Sequence, residues 1–250
     1  GFATISDSQF RDNQASDVGG GLINGGTVTI TGTSFRDNQA SRNGGGLRNG
    51  GTANISDSSF RDNRASNSGG GLWNSGNLDL TTSNVTGNTT NDDGGGLYNS
   101  GTARINDSTF TDNLASDRGG GMYNRPSASG TITNSTFSDN GASDDGGGFS
   151  NQGNLTFTNS TISGNRTNND GGGIYQGGGN TVLNSSTVTN NLADSNDDGT
   201  GNGGGIRKQG GGLNVRNTIV AGNFDTPANA GGGDIHPDLS GGIGGDANNL

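Results

Sequence analysis

Residues 30–47 read ITGTSFRDNQASRNGGGL, and residues 55–72 read ISDSSFRDNRASNSGGGL. Ile, Phe-Arg-Asp-Asn, Ala-Ser and Gly-Gly-Gly-Leu fall at the same offsets, 25 residues apart. Outward from this pair, the Phe position recurs as Phe10, Phe35, Phe60, Val85, Phe110, Phe137, Ile162, Val188 and Val220. Three residues after each stands Asn13, Asn38, Asn63, Asn88, Asn113, Asn140, Asn165, Asn191 or Asn223. Five residues before each stands Ile5, Ile30, Ile55, Leu80, Ile105, Ile132, Phe157, Leu183 or Val215. Glycine triplets follow from Gly19–Gly21 to Gly231–Gly233, and Leu, Met, Phe or Ile closes eight of them. A fixed period of this length marks a stacked repeat whose single unit cannot bury its own apolar face.

Within a unit the period is two. Ala3 and Ile5 alternate with Thr4 and Ser6, Ser8 pairs with Phe10, and Leu22 pairs with Asn24. Short β-prone runs bounded by Gly, Asn, Asp and Ser read as strands and turns. The density of Gly, Asn, Thr and Ser excludes helix as the main element. Three short strands and three turns in about 25 residues describe one coil of a right-handed parallel β-helix, an all-β solenoid. Leucine-rich repeats lack a match to their several-Leu consensus, and a propeller blade is longer. About nine coils at a β-spacing of roughly 4.8 Å make a rod of about 40 Å. Stacking turns Phe10, Phe35, Phe60, Phe110 and Phe137 into an interior aromatic column, with Ser8, Thr33, Ser58 and their successors as a hydroxyl column. An inward turn Asn satisfies its own coil and passes an amide bond to the next, which predicts an Asn ladder.

Composition agrees with a rod rather than a globule. The 250 residues hold 24% hydrophobic and 5% aromatic residues, too little for an ordinary core, and 53 Gly. Low hydrophobicity alone would suit a disordered chain, but disorder has no reason to phase its apolar residues. All 23 acidic residues are Asp, against 12 Arg and Lys208, for a net charge of -10. With no basic stripe to neutralise phosphates, nucleic acid is not an expected partner. Cys is absent, which removes disulfides and thiolate metal sites and is compatible with export. No apolar run has the length of a membrane span. The chain starts at Gly1 inside the repeat, which reads as a piece of a longer exported protein. Residues 1–233 are expected to form the repeats, and 234–250 an irregular capping or assembly segment.

These residues resemble the parallel β-helix repeats of bacterial surface proteins of the choice-of-anchor Q type and, more distantly, the chlamydial polymorphic outer-membrane protein repeats. The distant relatives carry FxxN, present here as Phe10–Asn13, Phe35–Asn38, Phe60–Asn63, Phe110–Asn113 and Phe137–Asn140. Their GGA[ILV] departs here to GGG followed by Leu, Ile, Met or Phe. The nearer resemblance rests on GGGIY at 171–175, NSTISGN at 159–165 and NTIVAGN at 217–223. It implies a last regular coil followed by an Asp-rich ending, matched by 234–250 with Pro237-Asp238-Leu239-Ser240 and Asn249-Leu250. It also implies a surface protein or adhesin, an analogy of fold more than of chemistry.

Chemistry is sparse. His236 is the sole histidine, beside Pro237, and Lys208 the sole lysine, beside Arg207. No catalytic residue is assigned. The alternative, a polysaccharide-binding or polysaccharide-degrading protein, would use Asp194, Asp197 and Asp198 near Arg207, in a coil extended by Asn196–Asn202. Insertions in repeat proteins map to loops on one face, often the binding face. Asp92, Asp93, Asp117, Asp144, Asp145 and Asp170 precede glycine triplets, and stacking would gather their carboxylates. Hard oxygen ligands suit Ca²⁺, so weak calcium binding stands against solvated turn Asp, the default. Arg11, Arg36 and Arg61 beside Asp12, Asp37 and Asp62 read as a wet, charge-paired face. Outward Thr29, Asn54, Asp79 and Arg104 are too varied for an ice-binding threonine array. Asn-x-Ser/Thr triplets such as Asn84-Val85-Thr86 follow from the repeat grammar. The expected function is a non-enzymatic extracellular structural and adhesive rod at the cell surface. Its expected partners are other copies or neighbouring coils through the helix ends, where stacking would build a fibre, and a glycan or surface ligand.

Overall fold

The first coil of the computed structural model, which describes residues 1–225 and 238–241, holds four strands. They are β1 (Phe2–Ser6), β2 (Gln9–Arg11), β3 (Gln14–Ala15) and β4 (Leu22–Asn24). Strands of one kind pair in parallel from coil to coil, giving sheets of nine, nine, seven and nine strands. Register is residue for residue, Ile5 on Ile30 and Phe10 on Phe35. The fold is a right-handed parallel β-solenoid of about nine coils, the hand expected of parallel crossovers. The three strands read from the repeat are β1, β2 and β4. β3 adds a fourth, too short at two residues for any alternation to announce it.

Corners follow from residue type. The residue before each ladder Asn is left-handed, with φ of 55° at Asp12, 56° at Asp37, 55° at Asp62 and 65° at Gly87. A second corner uses Asp57, Asp107 and Asn134 at φ 49° to 50°. Asp, Asn and Gly tolerate this region, where the short polar side chain bonds locally. The third corner is the first Gly of each triplet among the described residues, as at Gly44 with φ 69°, where a Cβ would meet the Leu47 carbonyl oxygen at 2.6 Å. The second Gly is required by close coil-to-coil approach, since a Cβ on Gly45 would meet the Gly70 carbonyl oxygen at 2.4 Å.

The core is one apolar column enclosed by the β1, β2 and β4 sheets. Phe10, Phe35 and Phe60 stack with centroids 4.7 and 4.6 Å apart, and Phe110 stacks on Phe137 at 4.5 Å. Val85 interrupts the aromatic run without leaving the interior. Polar ladders line the corners. Asn63 Nδ2 donates to Asn88 Oδ1 (2.9 Å) and to the Phe35 carbonyl (3.0 Å), while Asn63 Oδ1 accepts both Asn38 Nδ2 (2.9 Å) and the Asn38 backbone N–H (3.1 Å). Equivalent bonds run from Asn13 through Asn113, Asn140, Asn165 and Asn191 to Asn223, whose amide donates to Asp238 Oδ1 at 3.0 Å. Hydroxyls form a second ladder, with Thr33 N–H donating to Ser58 Oγ and Ser58 N–H to Ser83 Oγ, both 3.1 Å. A third joins Asn24, Asn49, Asn74, Asn99, Asn124 and Asn151 at 2.7–2.8 Å and ends on Gln176 at 3.0 Å. Each ladder satisfies buried groups that the turns would otherwise strand.

At the far end Leu239–Ser240 pairs with Ile206-Arg207 and extends the β4 sheet. This part of the segment expected to be irregular therefore continues the ladder, and Leu239 packs on the core. Gly231–Gly233, His236, Pro237 and Asn249-Leu250 lie outside the described residues. Among the described residues no helix is long and apolar enough to cross a membrane.

Candidate functional site

The turn between β3-type and β4-type strands carries the predicted carboxylates. In four coils the Asn or Asp just before a glycine triplet accepts a bond from the same position one coil on. Asn43 Oδ1 accepts the Ser68 N–H (3.2 Å), Asp93 Oδ1 that of Arg118 (3.3 Å), Asp145 Oδ1 that of Asp170 (3.2 Å), and Asp170 Oδ1 that of Asn202 (2.9 Å). Asp93 and Asp145 are buried rungs rather than solvated turn residues. Burial pushes the Asp93 carboxyl up to about 6, Arg118 offsetting part of the rise and Asp92 and Asp117 adding to it. Burial pushes Asp145 up to about 7, with Asp144 beside it adding to the rise.

Arg118 organises the middle of this ridge. Its Nε and Nη2 donate to the two oxygens of Asp93 at 3.1 and 3.2 Å, and its Nε lies 3.6 Å from Asp117. Asp92, Asp93 and Asp117 bring ligand oxygens within 4.8 Å of one another, donors that a cation such as Ca²⁺ accepts. Arg118 already holds Asp93 bidentately, so an ion must displace a guanidinium. Among the described residues this cluster excludes Asp144, Asp145 and Asp170. Asp144 instead takes a bond from Asn169 Nδ2 (3.0 Å), and Asp170 an ion pair with Arg207 Nε (3.2 Å).

Beside the ridge, on the outer face of the β4 sheet, stands an aromatic row that sequence reading overlooks. Trp73, Tyr98 and Tyr123 stack with centroids 6.1 and 5.4 Å apart. Arg48 lies 4.9 Å over the Trp73 ring and Arg118 4.9 Å over Tyr123, a cation at each end. Burial pushes the Tyr123 and Tyr175 phenols up to about 12, and Tyr175 donates to Gln209. The signal was present: aromatic residues follow the Leu/Met/Ile column by one position at the repeat spacing.

The β3 sheet faces a longitudinal groove. Its first hollow runs from Gln14 to Ser66, and its second, of about 380 Å³, from Arg64 to Ser195. Ala, Ser, Thr and Asn make up most of the lining, with Arg64, Leu114 and Arg166 as the large side chains. Leu114 is 42% exposed and occupies the space over Gly141, whose Cβ would meet Leu114 Cδ2 at 2.8 Å.

In the insertion, Asp194 and Asp198 are engaged by groups of their own loop. Asp194 is buried and accepts the N–H groups of Asp198 (2.9 Å) and Gly199 (3.0 Å) from its own loop. Asp198 accepts from Thr200 and Asn196, bonds that hold its carboxyl below the usual range. Arg207 is committed to Asp170 and to Ser240 Oγ (2.5 Å). On the opposite corner Arg11, Arg36 and Arg61 pair with Asp12, Asp37 and Asp62 at 3.1, 3.0 and 2.9 Å, an exposed network of small energetic weight.

No curated protein and no solved structure matches the chain. A family model described as right handed beta helix region matches residues 72–241, from the Leu72 strand to the end of the described C-terminal strand. Parallel pairing, handed stacking and this match converge, and the chain belongs to the right-handed β-helix family.

Proposed function

We propose that this chain is a non-enzymatic structural and adhesive rod, working outside the cell or on its surface, of the kind found in choice-of-anchor Q proteins. The observation that carries the reading is the in-register run of the nine-stranded β1, β2 and β4 sheets along the coils, locked by three side-chain ladders. Ladders of this kind resist bending and present long, regular faces, which suit spacing and adhesion over an extended surface. The commitment of Asp194, Asp198 and Arg207 to structural partners supports the non-enzymatic reading over the polysaccharide-degrading one. Strands β1, β2, β3 and β4 lie at one end of their sheets and offer backbone groups to a further coil or a second copy. Such head-to-tail contact is open and builds filaments.

Beads coated with the protein are expected to adhere to a cell-surface or matrix layer, while glycan substrates incubated with it stay intact. Chain cleavage of a polysaccharide that is lost in Asp197→Ala would overturn the reading. Light scattering across a concentration series tests the end contact, with mass growing in single-protomer steps as the expected outcome.

A further inference from the structure

We propose that the outer face of the β4 sheet pairs two copies of this chain side by side and antiparallel, with Trp73 of each against Tyr98 of the other and Arg42 of each against Asp117 of the other. The contact uses the flank of the rod and closes at two copies, so it stands apart from any contact through the ends.

The row supplies the apolar surface. Ile23, Arg48, Trp73, Tyr98 and Tyr123 hold the same outward position in the first five coils. Ile23 is 53% exposed, and Trp73 and Tyr98 are half-buried with their rings nearly parallel, 4° apart. An exposed apolar run flanked by charge marks an interaction surface, and aromatic residues and Arg are the types that anchor such contacts.

Charge names the occupant. Beside the row stand Asp17, Arg42, Asn67, Asp92, Asp117 and Asp144, one per coil, each two residues before its glycine triplet. The second coil is therefore basic, with Arg42 and Arg48. The fourth to sixth coils set Asp92, Asp93, Asp117 and Asp144 around Arg118. Among the described residues Arg48 makes no ion pair, its guanidinium lying over Trp73. Arg42 holds Asp17 in an exposed pair. Burial, and after it the neighbouring Asp144 carboxyl, raise the Asp117 carboxyl above its usual range, with Arg118 offsetting part of the rise. This end of the ridge has carboxylates in surplus, and the other end has guanidiniums.

That order is its own complement when reversed. A two-fold axis across the face, midway between the third and fourth coils, reverses the coil order of the second copy. Because the coil spacing is constant, the second coil of one copy then faces the fifth of the other, and the third faces the fourth. Arg42 meets Asp117 and Asn67 meets Asp92 along the ridge, while Trp73 meets Tyr98 in the row. Asp17 meets Asp144 at the outer rim, where water and salt screen the pair. A parallel arrangement would instead set Arg48 on Arg48 and place the two ridges on opposite sides, away from each other's guanidiniums. A two-fold contact makes every pairing twice, so a modest surface counts double. Six coils give about 24 Å of contact length at the β-spacing, a small interface that suits a reversible dimer.

The test is sedimentation equilibrium of the wild-type chain and of Trp73→Arg, Arg42→Asp and Asp117→Arg, with circular dichroism to check that each variant folds. Trp73→Arg gives the third coil the residue that the second already carries at that position, so the sheet accepts it. The expected result is a monomer–dimer equilibrium that weakens with salt and falls on the order of tenfold or more in each variant. Mixed one to one, Arg42→Asp and Asp117→Arg should dimerise again, because one brings carboxylates and the other guanidiniums to both paired positions. A mixture no stronger than either variant alone would overturn the antiparallel register. A dimer that persists in Trp73→Arg would overturn the face, and a chain that stays monomeric at millimolar concentration would overturn the pairing and leave the face to a different partner. Growth past two protomers that is identical in wild type and Trp73→Arg comes from the ends alone; it upholds the filament reading while this proposal falls.

Discussion

Asn63 shows what a single residue does in this rod. It donates to the Asn88 side chain and the Phe35 carbonyl and accepts two bonds from Asn38, all within the buried interior. Asn63→Ala strips the Asn38 N–H and the Asn38 amide of their shared acceptor and the Phe35 carbonyl of a side-chain donor, in a buried interior. The expected cost is about 1–3 kcal/mol, read from the urea midpoint; a variant that unfolds like wild type would sink the ladder's energetic role. Thr82 makes the opposite case. It holds φ 48° at a corner where other coils place Asp57, Asp107 and Asn134. A β-branched residue is strained there, so Thr82→Asn should stabilise by about 0.5–1 kcal/mol, visible as a raised melting temperature.

At the scale of elements, the acidic ridge joins electrostatics to packing. The Asp145 carboxyl has an ordinary value of 3.8 and is pushed up to about 7, chiefly by burial. The folded chain therefore keeps a proton that the unfolded chain releases. Stability from this group is full below about 4 and is lost as pH rises through about 7. Asp145→Asn retains an oxygen for the Asp170 N–H without the charge. It should exceed wild-type stability by about 1–3 kcal/mol at pH 8, the difference shrinking toward pH 4; an equal gap at both pH values would contradict this. Arg118 is the cation that the Asp92, Asp93 and Asp117 cluster already uses. Arg118→Gln should cost about 2–4 kcal/mol by stranding a buried carboxylate. Added Ca²⁺ should restore part of that loss while leaving the wild-type melting temperature unchanged.

Elements also show what was legible in advance. The β1, β2 and β4 strands announce themselves because Ile, Phe and Leu alternate with polar residues at the repeat spacing. β3 does not, because a two-residue strand whose inward side chain is Ala15 or Ala40 carries no alternation. The same smallness makes the groove invisible in sequence, since a hollow is set by how coils curve rather than by residue order. The ridge was half legible. Stacking predicts that carboxylates gather, but Arg118 falls in the column that Asp93 and Asp145 occupy in other coils, and only the fold reveals its clamp. Asn24 reads as inward in its coil. Its ladder is complete only with Gln176, whose longer amide replaces Asn at the last rung.

For the whole molecule, every coil meets its neighbours and little else, so stability should be a sum of local terms rather than the property of one closed core. Gly26, Gly51 and Gly76 occupy equivalent places, each the residue just before a β1-type strand. Removing residues 26–75 joins Gly25 to Gly76 and deletes two coils in phase, leaving Asn24 stacked beneath Asn99 as it now is beneath Asn49. The aromatic column then passes from Phe10 to Val85, a contact of the kind Phe60 and Val85 already make. The shortened chain should fold cooperatively with β-rich circular dichroism and lose about 10 Å of length in small-angle scattering. A deletion of residues 26–63 of the same region breaks the phase, turns inward residues outward and should not fold. If both deletions unfold alike, the coils are not interchangeable and the rod is stabilised by something longer in range than its ladders.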